Sequence, residues 1–152
     1  MSAKTITFDE LPAMKGESLG TSDWFRIDQD RIGRFADATD DHQWIHVDPE
    51  RAKDGPFGAA VAHGFLTLSL LIPLWSQVFD VADATTSVNY GLNKVRFPAP
   101  VPAGSEIRLT GTVTEVEEVA GGAVQITADV LVEIRGGAKP ACVAQPVFRF
   151  YR

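Results

Sequence analysis

The chain's three histidines, His42, His46 and His63, fall in one stretch that also carries Asp40, Asp41, Asp48 and Asp54. An imidazole titrates near neutral pH and a carboxylate accepts a proton, so this stretch is equipped for acid–base chemistry. The rest of the sequence is largely apolar alternation and turn residues, which reads as scaffold. His42 and His46 stand four apart, the spacing of a helical metal pair. A metal site usually needs a third protein ligand, however, and helical geometry is not indicated here, so no metal is assigned. A Gly-x-Ser-x-Gly elbow and a Walker loop are both absent, which disfavours a serine hydrolase or a P-loop enzyme.

The elements that must position these residues can be read from period and punctuation. Asp28 reads as an N-cap, followed by Ile32, Phe35 and Ala36 at helical spacing, with the helix ending near Asp37 to Thr39. Asp40 to Val47 is then expected to be a loop or irregular turn. Asp48-Pro49 reads as a cap with proline at the first helical position, and Gly55, Pro56 and Gly58 close that short helix. From Val61 to Phe79 apolar residues occupy nearly every face, which predicts a helix surrounded by protein and kinked by Pro73.

Beyond Ser87 the period becomes two. Val95 and Phe97 alternate with Lys94 and Arg96; Ile107, Leu109 and Val113 share a face. Val124 through Ile134 alternate most clearly, and Cys142, Ala144, Phe148 and Phe150 share the last face. Gly121-Gly122 and Gly136-Gly137 fall where hairpins turn. About four long antiparallel strands curving around one buried helix make an α+β layer arrangement. The first 20 residues are polar, with Gly16 and Gly20, and are expected to run over the surface before ordering near Trp24 to Ile27.

Composition bounds the function classes. The 152 residues fit one domain, 1–152, large enough to bury a core without staples. A net charge of −6 argues against a nucleic-acid partner. Cys142 is the only cysteine, so no intramolecular disulfide forms; it is expected to be a small buried hydrophobe in a protein of a reducing compartment. The N-terminus lacks an apolar leader, and the longest apolar stretch, Phe65 to Phe79, is too interrupted to span a bilayer. A cytoplasmic protein with no membrane partner is expected.

Asp41-x4-His46, preceded by Phe35-Ala36-x2-Thr39 and followed by Asp48-Pro49 and Ala62-His63-Gly64, resembles the MaoC-like hydratase/dehydratase family. The nearest likeness is to its nodulation-protein-N-like and mycobacterial 3-hydroxyacyl-thioester dehydratase branch, on the segments His42-Gln43-Trp44-Ile45-His46 and Asn89-Tyr90-Gly91-Leu92-Asn93-Lys94-Val95-Arg96-Phe97-Pro98. The resemblance implies a hotdog fold, a long central helix wrapped by a curved antiparallel sheet. It also implies a hydro-lyase interconverting trans-2-enoyl-CoA and (R)-3-hydroxyacyl-CoA as a homodimer, with an acyl carrier protein open as the alternative carrier. No cofactor is implied, CoA being part of the substrate.

The resemblance assigns Asp41 and His46 to activating water, and the Gly64 N–H to the thioester oxyanion, a role that free N–H groups at a helix start also suit. Gln43, Trp44, His63, Asn89, Tyr90 and Gly91 are candidates for substrate contact, and Lys94 and Arg96 for the phosphates of CoA. The plainer readings remain beside these: His46 bonded to backbone, Asp41 in an Asx turn, His63 a structural residue at the helix start, Lys94 and Arg96 on a wet strand face. Asp40 stands where the family pattern has glycine, a residue that allows positive φ, and aspartate tolerates that conformation better than most; Gln43-Trp44 replace Asn-Pro. A hotdog thioesterase and a non-catalytic acyl-thioester binder are the alternative functions.

Overall fold

A computed structural model describes residues 2–152. The long strands are β5 (Thr86–Arg96), β6 (Ser105–Val119), β7 (Ala123–Ile134) and β8 (Cys142–Tyr151). With the short β2 (Ser18–Thr21) and β3 (Phe25–Ile27) they form one six-stranded antiparallel sheet, ordered β2-β6-β7-β8-β5, with β3 also on β6. The turn from β6 to β7 uses Gly121 and Gly122, both at positive φ (87° and 73°), as that hairpin requires. The register sets Ile107 opposite Ile134, Val113 opposite Ala128 and Val130 opposite Ala144. These residues give the inner face its apolar surface: Ile107, Leu109, Val113, Ile126, Ala128 and Val132 are fully buried.

The helix against this face is broken. In place of one long helix from Val61 to Phe79, α4 (Gly64–Ser69) and α5 (Leu71–Ser76) meet at Leu70. The cause is Pro73, which donates no hydrogen bond and whose ring crowds the carbonyl four residues back, that of Ser69. Val61 instead bridges Pro102, and Phe79 opens β4 (Phe79–Val81). Leu66, Leu70, Leu71, Leu74 and Trp75 are buried in the core.

The N-terminal segment departs from the surface course expected of it. β1 (Lys4–Ile6) pairs in parallel with β4, and a 3-10 helix spans Phe8–Met14. In a 3-10 helix residues three apart share one face, and Phe8, Leu11 and Met14 are all buried. Thr7 donates its N–H and its hydroxyl to Glu10 at 2.7 and 3.0 Å, which caps that helix and holds the Glu10 carboxyl below its ordinary range.

Helix α1 (Gln29–Thr39) starts where Asp28 caps it, the carboxylate accepting from the Arg31 N–H at 2.8 Å. It ends on Asp40, which adopts φ 59°, ψ 25°, and the N–H groups of Asp40 and Asp41 both return to the carbonyl of Ala36. The expected loop from Asp40 to Val47 contains a single helical turn, α2 (Trp44–Val47), and α3 (Pro49–Ala52) follows under the predicted Asp48 cap. Among the described residues no helix is long and apolar enough to cross a membrane.

Candidate active site

Four of the singled-out residues converge where α1 ends, α2 turns and α4 begins. A carboxylate oxygen of Asp41 and one ring nitrogen each of His46 and His63 all lie within 4.8 Å of one another. Asp41 is exposed, whereas His46 and His63 are 7 % and 3 % exposed. A water molecule bonded to both the carboxylate and an imidazole spans a gap of that size.

The main chain decides which ring nitrogens are free. His46 Nδ1 lies 2.6 Å from the carbonyl oxygen of Val61, an atom that can only accept, so Nδ1 carries the hydrogen of a neutral ring and Nε2 keeps its lone pair. His63 Nε2 lies 3.0 Å from the carbonyl oxygen of Asp41, so there the hydrogen sits on Nε2. The turn carrying His46 is held from behind as well: Gln29 Nε2 donates to the His46 carbonyl at 2.7 Å. The two imidazoles stack, centroids 3.8 Å apart and planes 22° from parallel. Ligand lone pairs lie in the ring planes, and nearly parallel planes send them side by side rather than to one point. This geometry serves proton transfer better than a shared cation.

His46 and Gly64 line a cavity of about 400 Å³ whose walls are mostly apolar and include Ile45, Val61, Phe97 and Pro98. Gly64 is the first residue of α4, and among the described residues its N–H finds no backbone acceptor. A Cβ built on Gly64 would lie 3.2 Å from two Phe97 ring carbons, so glycine lets that ring close over the helix start. Thr67, which sequence reasoning passed over, also lines the cavity; it is 1 % exposed and its hydroxyl has no partner. Its place one turn beyond Gly64 is the signal that could have found it.

The other candidates lie apart from this cavity within a single chain. His63 is packed behind His46 and does not line the cavity. Gln43 precedes α2 as its cap and is exposed; Trp44 is half-buried, with the Arg51 guanidinium 4.2 Å over its ring and Gly55 beneath, where a Cβ would meet the indole at 2.9 Å. Asn89 lines a small cleft of about 120 Å³ with Ser69, Ile72 and Phe148, between β5 and the broken helix. Tyr90 and Gly91 face a separate groove, where Arg149 stacks 3.5 Å from the Tyr90 ring. Lys94 borders another groove with Asp129 and Gln145, and Arg96 donates to the neighbouring Val95 carbonyl at 2.7 Å. His42 is exposed and paired with Asp37 at 2.8 Å.

Comparison with known proteins places this geometry among relatives. Residues 10–134 match the model of a family described as the MaoC like domain. The chain is 55% identical over 141 residues to 3-hydroxyacyl-thioester dehydratase Z of Mycobacterium tuberculosis, covering 93% of each. It is 43% identical over 141 residues to nodulation protein N of Rhizobium leguminosarum bv. viciae, covering 91% of this chain and 88% of that one. Among solved structures, an (R)-hydratase from A. caviae involved in PHA biosynthesis superposes with a TM-score of 0.70 at 24% identity, over 88% of this chain and 94% of that chain. At that identity the likeness speaks to the fold, which is the hotdog arrangement.

Proposed function

This chain belongs to the MaoC-like domain family, and from that premise we propose that it is a hydro-lyase interconverting trans-2-enoyl and (R)-3-hydroxyacyl thioesters, with CoA as the carrier. The observation that carries the reading is the approach of the Asp41 carboxylate to a His46 ring held in one tautomer, beside a largely apolar cavity that Gly64 also lines.

In hydration, one water donates its two hydrogens to two acceptors, an Asp41 carboxylate oxygen and His46 Nε2. That leaves an oxygen lone pair directed at C3 of the enoyl group. As the C3–O bond forms, Asp41 takes the proton as principal acceptor while His46 keeps the water oriented. Electron density moves through C2 to the thioester oxygen, where the Gly64 N–H stabilises it. The enolate then collapses, C2 takes up the proton held by Asp41, and the site returns to its starting charge. Dehydration runs the same steps backwards. The chemistry as written uses protein groups alone.

The test is hydration of crotonyl-CoA, followed by loss of the enoyl absorbance, with free-thiol release measured alongside. Asp41→Asn and His46→Ala each lower kcat by orders of magnitude while the circular dichroism spectrum is kept. Near-normal rates in either variant refute the assignment, and thiol release without loss of the enoyl group indicates a thioesterase.

The reading includes a homodimer. Among the described residues strand β5 is paired on one side only, by β8, and it exposes Val88, Tyr90 and Leu92; Phe65 and Ile72 of the adjoining helices are 71 % and 42 % exposed. A long apolar edge of this kind invites strand pairing, and a second copy joined edge to edge through β5 covers it. Sedimentation equilibrium of the wild type gives a dimer mass, and Leu92→Lys shifts it towards monomer; a monomeric wild type refutes this part.

A further inference from the structure

Among the described residues His63 is one of the most deeply buried polar side chains, and only one of its ring nitrogens has a partner. Nε2 bonds the Asp41 carbonyl at 3.0 Å, while Nδ1 is enclosed without a hydrogen-bonding group. The ring face lies on His46 at 3.8 Å, and Phe35 tilts against it at 4.9 Å. Stranding a buried nitrogen is costly, and phenylalanine would supply the same flat surface without it. Packing therefore explains a ring at this position but not an imidazole. What an imidazole adds is the Nε2–H donated to Asp41.

That one bond joins the two halves of the site. Asp41 is tied on its N–H side to the end of α1, through Ala36, and on its carbonyl side, among the described residues, to His63 alone. His46 is tied through Val61 and Gln29, and its ring rests on His63. Gly64 follows His63 directly in the chain. The loop bearing the carboxylate, the turn bearing the imidazole and the start of α4 thus meet at a single side chain.

We propose that His63 is a positioning residue: its Nε2–H fixes the Asp41 main chain and its face fixes the His46 ring, so that carboxylate and imidazole reach the same water. The inference rests on the Asp41–His46 reading given above.

Two variants separate its contributions. His63→Phe keeps the stacked surface and removes the donor; His63→Gln places an amide N–H near the position of Nε2 and removes the stack. A displacement of about 1 Å in a reacting group costs on the order of 100-fold. In crotonyl-CoA hydration, kcat of His63→Phe falls roughly 10- to 100-fold with KM changed less than about threefold, and His63→Gln recovers part of that loss. In the Asp41→Asn background, His63→Phe adds little further loss, because the donor it removes acts through Asp41 and has no working carboxylate left to position. Long-range proton–nitrogen spectra of the wild type show hydrogen on Nε2 of His63 and Nδ1 of His46 at neutral pH.

A loss in KM at constant kcat overturns the proposal in favour of substrate contact. Losses that multiply fully with Asp41→Asn, or that follow the fraction of folded protein, overturn it in favour of structure alone. Should His63→Phe not fold, His63→Gln and the wild-type spectra decide: wild-type kcat in His63→Gln, or hydrogen on His63 Nδ1, refutes it. Wild-type rates in the His63 variants beside an inactive Asp41→Asn sink only this inference, whereas an active Asp41→Asn sinks the reading beneath it.

Discussion

Proline at position 64 isolates the one interaction on which the electrostatic half of the mechanism turns. Gly64 is the first residue of α4, where the missing N–H of proline breaks no helical bond and its fixed φ suits the helix. The preceding residue, His63, already has φ −60° and ψ 141°, the extended conformation that a following proline demands. Gly64→Pro therefore deletes the N–H with little cost to the backbone. It also adds a Cβ, which meets Phe97 ring carbons at 3.2 Å; Phe97 is 41 % exposed and has room to swing outward. Gly64→Ala carries the same Cβ and keeps the N–H, so the ratio of the two variants reports the exchange of that N–H for the proline Cδ. One oxyanion donor is worth about 3 kcal/mol of barrier, or roughly 100- to 1,000-fold in kcat. Steady-state hydration of crotonyl-CoA by both proteins gives kcat lower in Gly64→Pro than in Gly64→Ala by that factor. Equal kcat values in the two variants refute the oxyanion role of Gly64.

Three further outcomes follow from the fold. Asp40 at φ 59° occupies a conformation that glycine accepts freely and β-branched residues resist. Asp40→Gly keeps or raises the melting temperature by about 2–4 °C while Asp40→Val lowers it by more, and a Val variant as stable as the wild type contradicts that geometry. Leu11 is fully buried beneath the N-terminal helix, so Leu11→Ala costs about 2–5 kcal/mol in chemical denaturation; a loss below about 0.5 kcal/mol shows the segment is not docked. Burial pushes the Cys142 thiol from 9.0 up to about 11, so the folded chain keeps a proton that the unfolded chain gives up. The stability this confers is complete below about pH 9 and is lost as pH rises towards 11, and Cys142→Ala removes the slope. Parallel melting curves for wild type and variant across that range contradict it.

The sheet was legible because its signal is local and repeated. Val124 to Val132 alternate without interruption, and Gly121-Gly122 mark the turn before them. The caps at Asp28 and Asp48 were readable for the same reason, each depending on a few neighbouring residues, whereas the positive φ at Asp40 was suggested only by the glycine of the family pattern. The N-terminal helix escaped because Phe8, Leu11 and Met14 repeat every three residues, a period easily mistaken for scatter among polar neighbours. One helical turn at Trp44 has no period to detect. The break at Leu70 was foreshadowed by Pro73, but where the break falls depends on the carbonyl its ring displaces. Asp41, His46 and Gly64 were nominated by motif; Asp41 lies near the His46 ring, and His46 and Gly64 line one cavity. The hydrogen bond from His63 to Asp41 spans 22 positions, and no nearby pattern announces it. Asn89, Tyr90, Lys94 and Arg96 sit on β5, the edge strand beside β8, and none of them lines the His46 cavity.

Both imidazoles take their tautomer from peptide oxygens, those of Val61 and Asp41. Every amino acid supplies such an oxygen, so replacing the side chain at position 61 leaves the proton on the same nitrogen of His46. Sensitivity moves instead to the path of the backbone: inserting or deleting a residue between Val47 and Ala60 would swing the Val61 oxygen out of reach and release the ring to either tautomer. Variation of this enzyme is thus better tolerated by substitution than by changes of loop length, even at positions adjoining its chemistry.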